Sequence, residues 1–197
     1  MKLKYNAPVV LTYALACAAV MTAASLLGPG LVETFFRVPG RGEGLRLLSA
    51  GALRLASHVL GHASWAHLLG NFTLILLIGP ILEEKYGSAA LLLMMLATAV
   101  VTGLLNVMLL DSGLYGASGI AFMMILLTSI TNIRAGEVPL SFVLVLLLFM
   151  VKEVFTALQA NNISELAHVA GGICGAFFGF LFHSAEDAGG GEGAGAR

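Results

Sequence analysis

The chain has 197 residues, of which 58% are hydrophobic and only 11% charged, and its mean hydropathy is +0.94. Soluble domains carry about 25% charged residues, so ten basic and eleven acidic side chains are too few to cover a core of this length in water. A soluble enzyme is thereby excluded, and a net charge of -1 with a pI near 6.5 leaves no basic field for nucleic acid.

Crossing about 30 Å of hydrocarbon takes roughly 20 apolar residues, and the charges divide the sequence into six such runs. The first is the uncharged Val9 to Leu27, closed by Gly28-Pro29-Gly30, which gives a span over about 9–30. It is longer than the apolar region of an ordinary signal peptide and is expected to be retained. The segment 33–65 is too long for a plain connector and too mixed for a crossing. It sets Leu45, Leu47, Leu48, Leu53, Leu55 and Val59 among Arg37, Arg41, Arg46 and Arg54, a pattern suited to helices in the interface, so it is expected to be a structured first loop.

His58, His62 and His67 make the start of the next run polar, which confines the second span to about 66–82. The third and fourth, about 87–110 and 114–133, are separated by the turn Asp111-Ser112-Gly113. A fifth, 138–158, is interrupted by Lys152-Glu153, and a sixth covers 166–183. The tail 184–197 is Gly-rich and is expected to be disordered. The expectation is one all-α membrane domain over 1–183, a six-helix bundle with a structured first loop. Lys2 and Lys4 beside the first span favour a cytoplasmic N-terminus, although the basic residues otherwise divide evenly between the two sides.

Polar groups at membrane depth are expensive and mark functional sites. His67 and Asn71 are four apart, so a helix puts both on one face. His58 and His62 share that spacing and would suit a zinc pair, but HVLGH lacks the glutamate that HExxH places beside its first histidine. Hydrogen bonds to loop backbone at the water interface are the plainer reading for His58 and His62, and no metal is expected. Cys17 and Cys174 fall inside apolar runs and suggest neither a disulfide nor a metal cluster.

Ser118 lies in Gly116-Ala117-Ser118-Gly119, near the start of the fourth span. A serine there ordinarily bonds back to a carbonyl one turn earlier or allows close packing. Ile120 stands where GxSxG requires its last glycine, which excludes the α/β-hydrolase elbow. Helix-start N–H groups, however, favour negative charge and can stabilise an oxyanion. On the sixth span Gly171, Gly175 and Gly179 form a smooth stripe, and His168 begins it, close enough to a neighbouring helix to serve Ser118 as general base. Leu82 to Ser88, with Glu83, Glu84 and Lys85, reads as a solvated charged turn. His67, Ser118 and His168 all fall near the starts of spans that run in one direction, hence at one membrane level.

In order along the chain, HASWAHLLGN resembles HxxxxHxxxN, GASG resembles GxSG, and AHVAGGICG resembles AHxxGxxxG, the three motifs of the rhomboid family of intramembrane serine proteases. The resemblance covers the whole six-span core. It implies that Ser118 is the nucleophile and His168 the general base, with no aspartate and no cofactor. It further implies an oxyanion hole of His67, Asn71 and the Ser118 N–H, with Gly116 and Gly119 keeping the backbone open to substrate and Gly171 and Gly175 supporting the helix contact. His62 would brace the first loop. Leu53-Arg54 is similar to the family's Trp-Arg pair, which gives Arg54 a loop-supporting role with leucine in place of tryptophan. Phe122 stands where members often carry a tyrosine that stacks on the catalytic histidine. The implied partners are single-span membrane protein substrates within the bilayer, and the implied location is a cell membrane, the inner one of a bacterium. A catalytically silent relative that binds transmembrane helices and a small transporter are the rivals; the inverted pair of broken spans common in transporters is not evident.

Overall fold

The computed structural model describes residues 3–44, 50–133 and 165–190, together with single positions between 140 and 151. The described residues are helical throughout their regular parts: α1 Pro8–Leu27, α2 Gly30–Phe35, α3 Arg54–Ser57, α4 Trp65–Tyr86, α5 Ser88–Leu109, α6 Ser118–Ile133 and α7 Glu165–Gly190, with short 3-10 turns at Ala50–Leu53 and His58–Leu60. Extended pairing among them is limited to a single antiparallel bridge between Val38 and Leu114. The fifth predicted span, 138–158, including Lys152-Glu153, lies largely outside the described residues.

Helix ends follow local chemistry. Pro8, which has no N–H to leave unpaired, opens α1, and Gly28 at φ 103° closes it. Ser64 caps α4 by accepting the His67 N–H at 3.1 Å, and Gly87 at φ 82° ends that helix and lets α5 start at once. Three helices, Pro8–Leu27, Trp65–Tyr86 and Ser88–Leu109, are long and apolar enough to cross a membrane, and Ser118–Ser129 and Leu166–Phe182 are shorter apolar helices.

Helix α6 is the axis of the core. Ile120, Met123, Met124, Ile125 and Leu127 are all essentially inaccessible, so the helix is apolar on every side because it is enclosed on every side. It packs on α4, α5 and α7, while α1 packs on α4. Outer faces carry exposed large apolar side chains such as Leu77, Leu93 and Phe177, the pattern of helices solvated by lipid.

Three expectations are corrected here. Glu83 does not belong to a solvated turn. It is only 4% exposed, and its two carboxylate oxygens accept the Val9 and Val10 N–H groups at 2.9 and 3.0 Å, while the Ser88 hydroxyl donates to it at 2.7 Å. A carboxylate at a helix N-terminus satisfies orphan N–H groups and the helix dipole together. Next, the last helix continues past His183 to Gly190, because Ala185, Glu186, Asp187 and Ala188 are not yet the glycine run and can sustain a helix. Residues 191–197 lie outside the description. Finally, His58 and His62 are each 2% exposed and do not sit at a water interface.

Candidate active site

His67, Ser118 and His168 occupy the first residues of α4, α6 and α7 respectively. The loop between α3 and α4 sets their surroundings. The His58 carbonyl accepts the Gly116 N–H at 3.0 Å, and His62 Nε2 accepts the Ala117 N–H at 3.3 Å, so both backbone groups preceding Ser118 are held by one turn. That turn is fixed in its own right. His58 Nε2 donates to the Ala99 carbonyl of α5 at 3.0 Å, and Tyr13 of α1 donates its hydroxyl to the Val59 carbonyl at 2.9 Å. The Tyr13 ring tilts against Phe72 at 5.2 Å, and Phe72 lies 6.1 Å from His62.

Burial holds the His62 imidazole neutral, with its pKa lowered to about 3; a second push down comes from neighbouring His67, opposed by the Leu60 carbonyl. Burial likewise lowers His58 to about 4, opposed by its bond to Ala99. The zinc pairing considered for these two residues meets different geometry, since each Nε2 is committed to a different backbone group. Among the described residues no three His, Cys, Asp or Glu side chains gather around a common point.

The Ala63 N–H donates to His67 Nδ1 at 3.4 Å, which leaves Nε2 as the proton-bearing nitrogen of the neutral ring. That nitrogen and Asn71 Nδ2 both approach Gly116. A β-carbon built there would lie 2.8 Å from His67 Cε1, 3.0 Å from Nε2 and 3.9 Å from Asn71 Nδ2. Asn71 is 4% exposed, and its Nδ2 is a buried donor with no hydrogen-bond partner. A buried amide nitrogen left unpaired costs about 1–3 kcal/mol, and here it faces the backbone two residues before Ser118.

On the opposite side His168, 4% exposed, stacks on Phe122 with ring centroids 4.7 Å apart and planes 16° from parallel. Phe122 is four residues beyond Ser118, one helical turn along the same face, so the imidazole lies over the face of α6 that carries the serine. Missing side chains make this possible. A β-carbon on Gly171 would run into the Gly119 carbonyl, and one on Gly175 into the Met123 carbonyl, so α6 and α7 touch backbone to backbone.

The glycines of the serine motif are closely packed. Gly119 is buried against Thr102 and the Ala167 carbonyl, 3.1 and 3.3 Å from where its β-carbon would stand, so its smallness allows close helix packing. At Gly116 the absent side chain makes room for His67, and its φ of 127° is one that glycine adopts readily. Arg54 opens α3, half-buried, while Leu53 beside it is 71% exposed; the next residue, Leu55, lays its backbone on Gly103 of α5. Sequence reasoning passed over Tyr13 and Phe72 and took Glu83 for a solvated residue. For Glu83 the available signal was an acidic residue shortly before Gly87-Ser88 in a chain with a Pro-initiated helix elsewhere; the two aromatic rings gave none.

A helical membrane protein with a serine at one helix start and a histidine near the start of an adjoining helix is the class these features define. A family model described as the Rhomboid domain matches residues 49–185. The chain belongs to the rhomboid family. It is 25% identical over 131 residues to the Rhomboid protease GlpG of Haemophilus influenzae, covering 65% of this chain and 68% of that protein. It is also 32% identical over 152 residues to Rhomboid-related protein 1 of Caenorhabditis elegans, covering 68% of this chain and 41% of that protein.

Proposed function

We propose that this protein is an intramembrane serine endopeptidase that cuts transmembrane segments of other membrane proteins with a dyad of Ser118 and His168. The observation that carries the reading is the stacking of His168 on Phe122, one turn from Ser118 on the same helix face. Ser118 Oγ attacks the scissile carbonyl while its proton passes to His168. The carbonyl oxygen becomes an oxyanion and accepts from His67 Nε2, Asn71 Nδ2 and the Ser118 N–H. Collapse breaks the C–N bond, His168 protonates the leaving amine, and an ester to Ser118 remains. Water deprotonated by His168 then releases the acid and restores the serine.

Water needs a route to this depth. A cavity of about 400 Å³ lined in part by Glu33, His62, Ser64 and Tyr115 offers water polar partners beside His62, whose ring holds the Ala117 N–H. The fold in this reading has six spans: the three membrane-length helices, the two shorter apolar ones and the run 138–158. Its N-terminus is cytoplasmic, it resides in a bacterial inner membrane, and its substrates are single-span proteins. Arg54 and His62 support the first loop.

The test is cleavage of a transmembrane reporter by reconstituted protein, with fluorophosphonate labelling alongside. Wild type should cleave and label, Ser118→Ala should do neither, and His168→Ala should lose cleavage while keeping its fold. Cleavage that survives either substitution would sink the dyad, and cleavage abolished by a chelator would return attention to a metal.

A further inference from the structure

A second cavity, about 460 Å³, opens between α1 and α5. It runs from Pro8 and Ser88, at the starts of the two helices, to Ala16 and Ala99, and Val59 and Leu60 of the loop close its far end. Both helix starts lie at one end of the bundle, because Glu83 binds Val9, Val10 and Ser88 together. Leu92 and Leu96, 44% and 45% exposed, form its rim, so it opens sideways to whatever surrounds the helices.

Its contents follow from the surrounding solvent. Water requires two or more polar partners, which these mostly apolar walls do not provide. An empty space would forfeit dispersion contacts along every wall. Hydrocarbon is the remaining occupant, and the dimensions suit one chain of it. At 1.5 Å per residue the α1 and α5 walls are about 12 and 16 Å long, close to half of an about 30 Å bilayer core. At the open mouth the Tyr5 hydroxyl lies 3.0 Å from that of Thr12, placing an aromatic ring at the interface beside exposed Lys4.

From this we infer that the α1–α5 cleft holds one acyl chain of an anionic phospholipid, drawn from the leaflet at which both helices begin, with its headgroup against Lys4 and Tyr5. The lipid has a structural effect, because Val59 and Leu60 belong to the turn whose His58 carbonyl and His62 ring hold Gly116 and Ala117. A chain end pressed on Val59 backs the same turn that Tyr13 holds from α1. The binding itself does not depend on the protease reading; only its effect on cleavage does.

The experiment places the full-length protein in phosphatidylcholine vesicles containing a minor fraction of phosphatidylglycerol with a photoreactive group midway along one acyl chain. Crosslinks are expected in the peptides around Ala16 and Leu92–Leu96 in preference to other lipid-facing helices. After detergent extraction, native mass spectrometry should find one phosphatidylglycerol retained by wild type, and about tenfold less by Ala16→Phe, which overfills the cleft. Leu93→Phe, on the exposed face of α5 outside the cleft, should retain it. Uniform crosslinking over all lipid-facing helices overturns the proposal, as does absence of crosslinks at the cleft. Equal retention by wild type and Ala16→Phe does the same, and equal retention of phosphatidylcholine overturns the headgroup assignment. The crosslink map of wild type decides the matter if Ala16→Phe fails to fold, and lipid retention without reporter cleavage would separate this proposal from the catalytic one.

Discussion

On its α7 side Ser118 is bounded by a seam made of missing side chains, whereas on its loop side it is bounded by hydrogen bonds from buried polar groups. At the seam, Gly171 and Gly175 meet the Gly119 and Met123 carbonyls with no space for a β-carbon. At the loop, His58, His62 and Tyr13 each commit a polar atom to a specific backbone partner. The seam tolerates no added atom but is indifferent to pH. The loop has room to adjust, yet its bonds depend on protonation and on neighbours from two other helices. In the proposed reading, placing the general base calls for the first kind of constraint, since stacking needs a fixed helix separation. Aiming donors calls for the second.

The comparison predicts its own points of failure. Gly171→Val should have the largest effect: both contacting atoms are backbone, so the variant is expected to lose the α6–α7 contact and elute as aggregate in size exclusion. Gly171→Ala brings its one added carbon against the same backbone carbonyl and should also be strongly destabilised, less than Gly171→Val, read as a sharply lowered Tm. A well-folded, active Gly171→Val would show that the seam is not a rigid constraint.

Acid should be next in size, and of the two constraints it acts on the loop. His58 and His62 have pKa values lowered by folding, to about 4 and about 3, so the unfolded chain binds more protons below its ordinary histidine pKa of about 6.5. Their contribution is complete above that pH and is lost as the pH falls towards 4 and then 3. For His58 the loss amounts to about 3 kcal/mol across the window. Denaturation midpoints measured from pH 7 to 4 should decline more steeply for wild type than for His58→Gln, and parallel curves would contradict the assignment.

Tyr13→Phe keeps the ring contact with Phe72 and removes one hydrogen bond, for a loss of about 1 kcal/mol in thermal unfolding. In a cleavage assay it should also raise the temperature sensitivity of the reaction, since the turn holding Ala117 is less well fixed. Phe122→Tyr should do least. The stacked ring is retained, and cleavage within about threefold of wild type is expected, a difference under 1 kcal/mol; a large gain or loss would mean that a hydroxyl matters at this position.

Much of the site could be read from the sequence because its determinants are local. Asn71 follows His67 by one turn, Phe122 follows Ser118 by one turn, and the glycine stripe has a four-residue period. The apolar runs likewise marked out the membrane-length helices. What could not be read depends on partners far away in the chain. Glu83 resembles any exposed acid until Val9 and Val10 are brought to it. His58 is apparently interfacial beside polar neighbours, and only the α5 carbonyl of Ala99 explains how it can be buried. Gly119 belongs to a motif that suggests substrate access, but what it faces is set by Thr102 and Ala167 on two other helices. At 184–190 the glycine content of the tail concealed Ala185, Glu186 and Ala188, which can continue the last helix.

Glu83 bears on the order of assembly. The Val9 and Val10 N–H groups find their acceptor 74 and 73 residues later in the chain. Until α4 has been made, the first helix lacks the protein acceptor that those two N–H groups find in the folded chain, and water must serve them. Only with α4 in place does the carboxylate set its depth. The register of α1 is thus inherited from α4, and the hydroxyl of Tyr13 comes level with Val59 as a result of a contact made at the opposite end of its helix.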